Sequence, residues 1–178
     1  EMNSSHTGVS GPATHVMPRV YTTRSVGFEM EPAGTRYKIS HIYRAGPADK
    51  EWLGLSVGDF VLAIDGQEIT TKDNYWKIWS TTTNEYIAVK VAKSAAGDGA
   101  RTVRIASVTN LANIKYEEWV ENNRDIVEKP TDGQIAYMHI KALDAQSLAL
   151  FQNEIDRFWN NKGIIVDLRN ICVCNNYQ

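Results

Sequence analysis

Apolar and polar positions change their spacing twice along this chain. Between Val26 and Asn110 the apolar residues fall in short runs rich in Val, Ile, Tyr and Phe. They predict strands over Val26–Glu29, Arg36–Tyr43, Asp59–Ile64, Tyr86–Ala92 and Thr102–Thr109. Pro32-Ala33-Gly34, Asp65-Gly66 and Gly97-Asp98-Gly99 supply the turns between them. Two short helices interrupt the pattern. One carries Pro47 in its first turn and runs to about Trp52. The other begins near Thr71–Asp73 and runs to about Ser80, with Tyr75, Ile78 and Trp79 on one face.

From Ile114 the period lengthens to that of helices. A helix is expected through Ile126, stopped by Pro130 and Asp132-Gly133. After a short strand opening at Gly133, a second helix runs from Asp144 to about Asn160. Leu148, Phe151, Ile155 and Phe158 form its apolar stripe, Asp144 caps its start, and Gly163 stands past its end. The last strand is Gly163–Arg169. Glu1–Arg24, rich in Ser, Thr, Gly and Pro, shows no period and reads as an arm.

The strand–helix–strand pattern from Gly133 onward is a βαβ unit, which belongs to a sheet needing further neighbours. Functional groups in such sheets gather beyond the carboxyl ends of strands. Here that position holds Ile171-Cys172-Val173-Cys174 and the residues to Gln178.

Composition narrows the function classes. Among 178 residues, 19 Lys+Arg stand against 21 Asp+Glu, for a net charge of −2 without a basic block. That balance argues against nucleic acid as a partner. No apolar run is long enough for a membrane span. Residues Glu1–Pro18 lack the basic and apolar regions of a signal peptide. The only cysteines, Cys172 and Cys174, are too close for a good disulfide and too few for a zinc site. No metal or cofactor is expected, and scarce cysteine favours a reducing, cytoplasmic compartment.

Two segments carry a resemblance. Ser25-Val26-Gly27-Phe28 opens a strand, and Leu53-Gly54-Leu55-Ser56-Val57-Gly58-Asp59 precedes the run Phe60–Gly66. Together they resemble a PDZ domain, and specifically the PDZ domains of proteases. The implied fold is a partly open β-barrel with two short helices. In that fold the Val-Gly-Phe turn binds a terminal carboxylate through backbone N–H groups, because glycine has no Cβ to block their convergence. A peptide would add as an extra strand beside the second helix. Val26, Gly27 and Phe28 would supply donors, and Tyr75, Ile78 and Trp79 would wall the pocket. Taken by itself the Gly-Phe pair reads as a plain turn, with the helix residues serving only the core, and the downstream block is what favours the PDZ reading.

The flanks resemble a narrower group. Arg36–Arg44, Tyr116-Glu117-Glu118-Trp119-Val120-Glu121-Asn122-Asn123-Arg124 and Gly133–Ile140 are similar to the tricorn protease family, within the tail-specific serine peptidases. The resemblance covers the chain up to Asn170. It implies a PDZ domain inserted between two halves of a catalytic domain. Residues 1–24 would be the arm from the first half, 25–110 the PDZ domain, and 111–178 the beginning of the second half, a helix and then the βαβ unit. Glu1-Met2-Asn3-Ser4-Ser5-His6 is similar to the stretch that holds the family's catalytic histidine. The resemblance therefore makes His6 the general base and Ser5 part of its supporting network.

Departures from the family pattern bear on activity. Relatives continue after the last strand into a glycine run that helps form the oxyanion hole, whereas Arg169 is followed here by Asn170-Ile171-Cys172-Val173-Cys174. No counterpart of the nucleophilic serine follows. Ser94, Ser107 and Ser147 lie in settings that make none of them a substitute. His15, His41 and His139 read as ordinary polar residues, Asp167 and Arg169 as a structural ion pair, and Glu117, Glu118 and Glu121 as a solvated helix face.

The reading is an α+β chain: a PDZ-like, partly open β-barrel followed by a βαβ segment of an α/β catalytic domain. The parent activity would be serine-type peptide hydrolysis, with this chain itself inactive. Expected partners are peptides or the C-termini of unfolded proteins, with neither nucleic acid nor membrane. A non-catalytic peptide-binding module is the alternative. A homo-oligomer formed through the unfinished sheet is a further possibility.

Overall fold

The computed structural model describes residues 22–171. Ser5, His6, His15, Cys172 and Cys174 lie outside the described residues. The expected fold class is the one observed. An antiparallel sheet has the order β1 (Phe28–Ala33), β2 (Arg36–Ile42), β3 (Phe60–Ile64), β5 (Tyr86–Ala92), β6 (Arg101–Ala106), and β4 (Gln67–Glu68) pairs with β3 off this path. Ser25 forms an isolated bridge with Val108, bringing the segment before β1 to the end of β6 and partly closing the barrel. The core forms where alternate strand residues turn inward. Ile39, Val61, Ile64, Ile87, Val89, Val91 and Ile105 are almost wholly excluded from solvent.

The helices between these strands are shorter than their sequence signals. Pro47 starts no helix. Ala45 has a positive φ and donates its N–H to Asp49 Oδ2, so the chain turns there, and a single 3-10 turn forms at Glu51–Leu53. Helix α1 begins only at Trp76 and ends at Thr81. The residues before it are held in a turn, where Asp73 Oδ2 accepts bonds from both the N–H and the hydroxyl of Thr70. Asn74 Oδ1 then accepts from Trp76 N–H, supplying a partner for one donor of the first turn.

Helix α2 (Ala112–Glu128) continues into a 3-10 turn at Lys129–Thr131 and packs against β7 (Ile135–His139). β7 pairs in parallel with β8 (Gly163–Asp167), and α3 (Ala145–Arg157) forms the crossover. Asp144 caps α3 as expected, accepting from Ser147 N–H at 2.7 Å. Its apolar stripe is only partly covered: Phe151, Ile155 and Phe158 are half-buried while Leu148 is exposed. Ile165, Val166 and Leu168 of the second strand and its exit are exposed as well.

Candidate functional site

Strand β1 is at the edge of the sheet, so among the described residues one side of its backbone has no strand partner. The register shows which groups face outward. Tyr43 N–H donates to Gly27 O at 3.0 Å, turning the Gly27 peptide group toward β2. Phe28 is opposite Ile42, in the next position of the ladder, so its N–H and C=O point to the open edge. Ile39 bonds Asp59 O and Gly58 N–H instead, so Met30 opposite it faces the open edge too.

Helix α1 lies across from this edge. Between them is a cleft of about 270 Å³, lined by Arg24, Val26, Phe28, Met30, Tyr75, Trp76 and Trp79 among others. Phe28 meets Trp79 edge to face with centroids 6.5 Å apart, forming the apolar floor. Tyr75 packs on Tyr37 and stacks on Trp76, which is 56% exposed and forms the outer lip.

The sequence-derived residues divide among three positions. Val26, Phe28, Tyr75 and Trp79 line the cleft. Ile78 packs against the buried core of the sheet rather than lining the cleft. Gly27 is at the turn with φ +85°, and a Cβ there would come within 2.7 Å of Pro47 Cδ. Glycine therefore meets both a backbone and a space requirement. Its N–H already contacts Ser25 Oγ at 3.3 Å, a long bond that an incoming carboxylate could replace.

Arg24 and Trp76 line the cleft without having been anticipated. Arg24 donates its backbone N–H to Trp79 O, and its guanidinium donates to Ser107 Oγ at 2.8 Å. It places a permanent cation beside the Val-Gly-Phe turn, where a terminal carboxylate would gain a charge-assisted bond. A cation just ahead of that turn was the available sequence signal. Trp76 was missed because it lies off the apolar face formed by Tyr75, Ile78 and Trp79 and is exposed.

A second polar cluster occupies the carboxyl ends of β7 and β8. Asp167 is buried and accepts from Tyr137 OH at 2.7 Å, from Arg169 N–H at 2.9 Å and from the Arg169 guanidinium. The arginine holds the Asp167 carboxyl well below the usual range, while burial, reinforced by Asp167, pushes the Tyr137 phenol up to about 12. His139 is fully engaged, with Tyr116 OH at Nδ1 (2.8 Å) and the Arg169 carbonyl at Nε2 (2.7 Å). Arg169 also lies over the Trp119 ring. The expected ion pair is present within a larger network that fixes the exit from β8. Among the described residues no group of acidic, His and Cys side chains is placed to hold a metal ion. No helix among them is long and apolar enough to cross a membrane.

An edge-strand groove facing a short helix, with a glycine turn at one end, defines a PDZ-type module, here joined to a parallel βαβ unit. In sequence and fold this combination is similar to a segment of tricorn proteases. A tricorn protease homolog of Saccharolobus solfataricus is 27% identical over 150 residues, covering 80% of this chain and 14% of that protein. The tricorn protease of Thermoplasma volcanium is 27% identical over 141 residues, covering 75% of this chain and 14% of the relative. A crystal structure of the tricorn protease matches the fold with a TM-score of 0.68 at 23% identity, over 84% of this chain and 15% of that one. No protein-family model matches the chain. The chain thus spans about one seventh of the length of these curated relatives.

Proposed function

We propose that this chain is part of a tricorn-like serine peptidase and that its groove binds the carboxyl termini of peptides, positioning or gating them for hydrolysis. One observation carries the groove reading. The outward-facing amides of Phe28 and Met30 lie opposite α1, and Arg24 borders the same cleft. Backbone bonding to an added strand would supply affinity, and the Phe28–Trp79 floor would take an apolar last side chain. Residues 25–110 act as the PDZ domain, residues 1–24 as an arm from the first catalytic half, and residues 111–178 as the start of the second.

In the complete enzyme His6 would take the proton of a serine nucleophile, with Ser5 in its network. Arg169 is followed by Asn170-Ile171-Cys172 rather than a glycine run, which supports inactivity of these 178 residues by themselves. The setting is cytoplasmic. The exposed Ile165, Val166 and Leu168 favour self-association through the βαβ unit as a second activity of the isolated chain.

The test is fluorescence anisotropy with labelled peptides ending in valine, as free acids and as amides. Saturable binding of the acid, absent for the amide and weakened by Arg24→Ala, is expected. Equal binding of both forms removes carboxylate recognition. Hydrolysis by the pure chain that is lost in His6→Ala overturns its inactivity.

A further inference from the structure

We infer that the groove selects peptides with a lysine or arginine at the penultimate position, recognised by Glu29. The inference rests on the groove reading above and adds a sequence preference to it.

The argument follows from strand alternation. A peptide added antiparallel to β1, with its carboxylate at Gly27, places its last and third-last side chains on the face shared by Phe28 and Met30, inside the cleft. Its penultimate side chain then lies on the other face, beside Glu29, and the one two residues earlier lies beside Glu31. Both carboxylates belong to half-exposed side chains. Glu29 borders the cleft and accepts a bond from the Tyr43 hydroxyl, which holds its carboxyl below the ordinary range.

The exposed carboxylates of this face each have a partner that a ligand cation can compete with. Lys115 of α2 is 3.2 Å from Glu29 and Lys38 is 2.9 Å from Glu31, while Glu118 adds a third carboxylate whose partners are His41 and the Arg44 N–H. Glu118 is largely buried with those partners, so the exposed carboxylates beside an added strand are Glu29 and Glu31, each next to one lysine. Lys115 is itself 50% exposed, so a ligand cation can share or take its place at Glu29. Exposed pairs of this kind discriminate modestly and are weakened by salt.

The experiment uses the full chain and labelled free-acid peptides ending Val-Lys-Val, Val-Ala-Val and Val-Glu-Val, with the Val-Lys-Val amide as control. At low salt the lysine peptide is expected to bind about five-fold tighter than the glutamate peptide, and the gap should shrink as salt is added. Glu29→Gln should erase most of that gap. Lys115→Met, which leaves Glu29 in place and removes its competitor, should widen it, an effect that general damage to the fold would not produce. Free acids that bind with no lysine preference, or with a glutamate preference, overturn the inference while the groove reading stands. Failure of every free acid to bind overturns both.

Discussion

His41 Nε2 on β2 is 2.6 Å from Glu118 Oε1 on α2, and the second oxygen of Glu118 accepts the Arg44 N–H at 2.8 Å. Glu118 had been expected on a solvated helix face, yet its side chain is only 10% exposed. Together with the Lys115–Glu29 contact, it fastens the helix that leads to the parallel unit onto the hairpin that forms the groove. Hydrogen bonds to a charged group are worth about 1.5–3 kcal/mol each. Glu118→Ala should lower stability by about 2 kcal/mol in urea unfolding and raise amide exchange through α2. An unchanged unfolding midpoint would show that the clasp contributes nothing.

At this same end of the hairpin, where Gly27 O accepts the Tyr43 N–H, Gly27→Ala is predicted to be costly for two separate reasons. The residue is held at φ +85°, and the added methyl would meet the Pro47 ring at 2.7 Å. A left-handed non-glycine residue costs about 1 kcal/mol, and displacing the ring adds to it, for a loss of about 2 kcal/mol. Peptide affinity should fall together with stability, since the same turn aims the Phe28 amide. Gly34, which has no atom near its missing Cβ, provides a control: Gly34→Ala carries only the backbone cost.

Regular alternation made the sheet legible in the sequence. Arg36–Ile42 and Tyr86–Ala92 form where alternation predicted strands, because one face of each is largely buried, and Phe60–Ile64 forms as a continuous apolar run buried on both faces. The two-residue β4 was missed, since Gln67–Glu68 is exposed and carries no apolar signal. The helix expected at Pro47 failed for a tertiary reason: that ring packs against Gly27, and Asp49 closes a turn. Within the cleft, Val26, Phe28, Tyr75 and Trp79 follow from motif and periodicity. Arg24 and Glu118 could not be read that way, because their partners Ser107 and His41 are remote in sequence and meet only in the folded chain.

The cap of α3 offers a local test of how that helix is held. Asp144 accepts the Ser147 N–H, and no residue of α3 is buried, so tertiary packing does little to compensate for losing the cap. Asp144→Ala should cost about 1 kcal/mol of helix stability. Helical circular dichroism should drop and exchange at residues 145–150 should accelerate, while the far sheet is unaffected. Retention of full protection in α3 would mean that contacts along its half-buried stripe hold it instead.

The Asp167 network sets the pH range over which the βαβ unit is most stable. The carboxyl of Asp167 titrates well below its ordinary value in the fold, so its contribution is complete above about pH 4 and is lost as pH falls toward the folded value. Tyr137 shifts in the other direction. With its phenol raised from 10.0 to about 12, its contribution is complete below pH 10 and declines between those two values. Urea midpoints measured against pH should therefore show a plateau with an acid limb and an alkaline limb. Tyr137→Phe should flatten the alkaline limb, and Asp167→Asn the acid limb. The asparagine variant should also lose about 2 kcal/mol at neutral pH, because the Tyr137 hydroxyl and the Arg169 guanidinium lose a charged partner. Limbs that persist unchanged in both variants would assign the pH dependence to other groups.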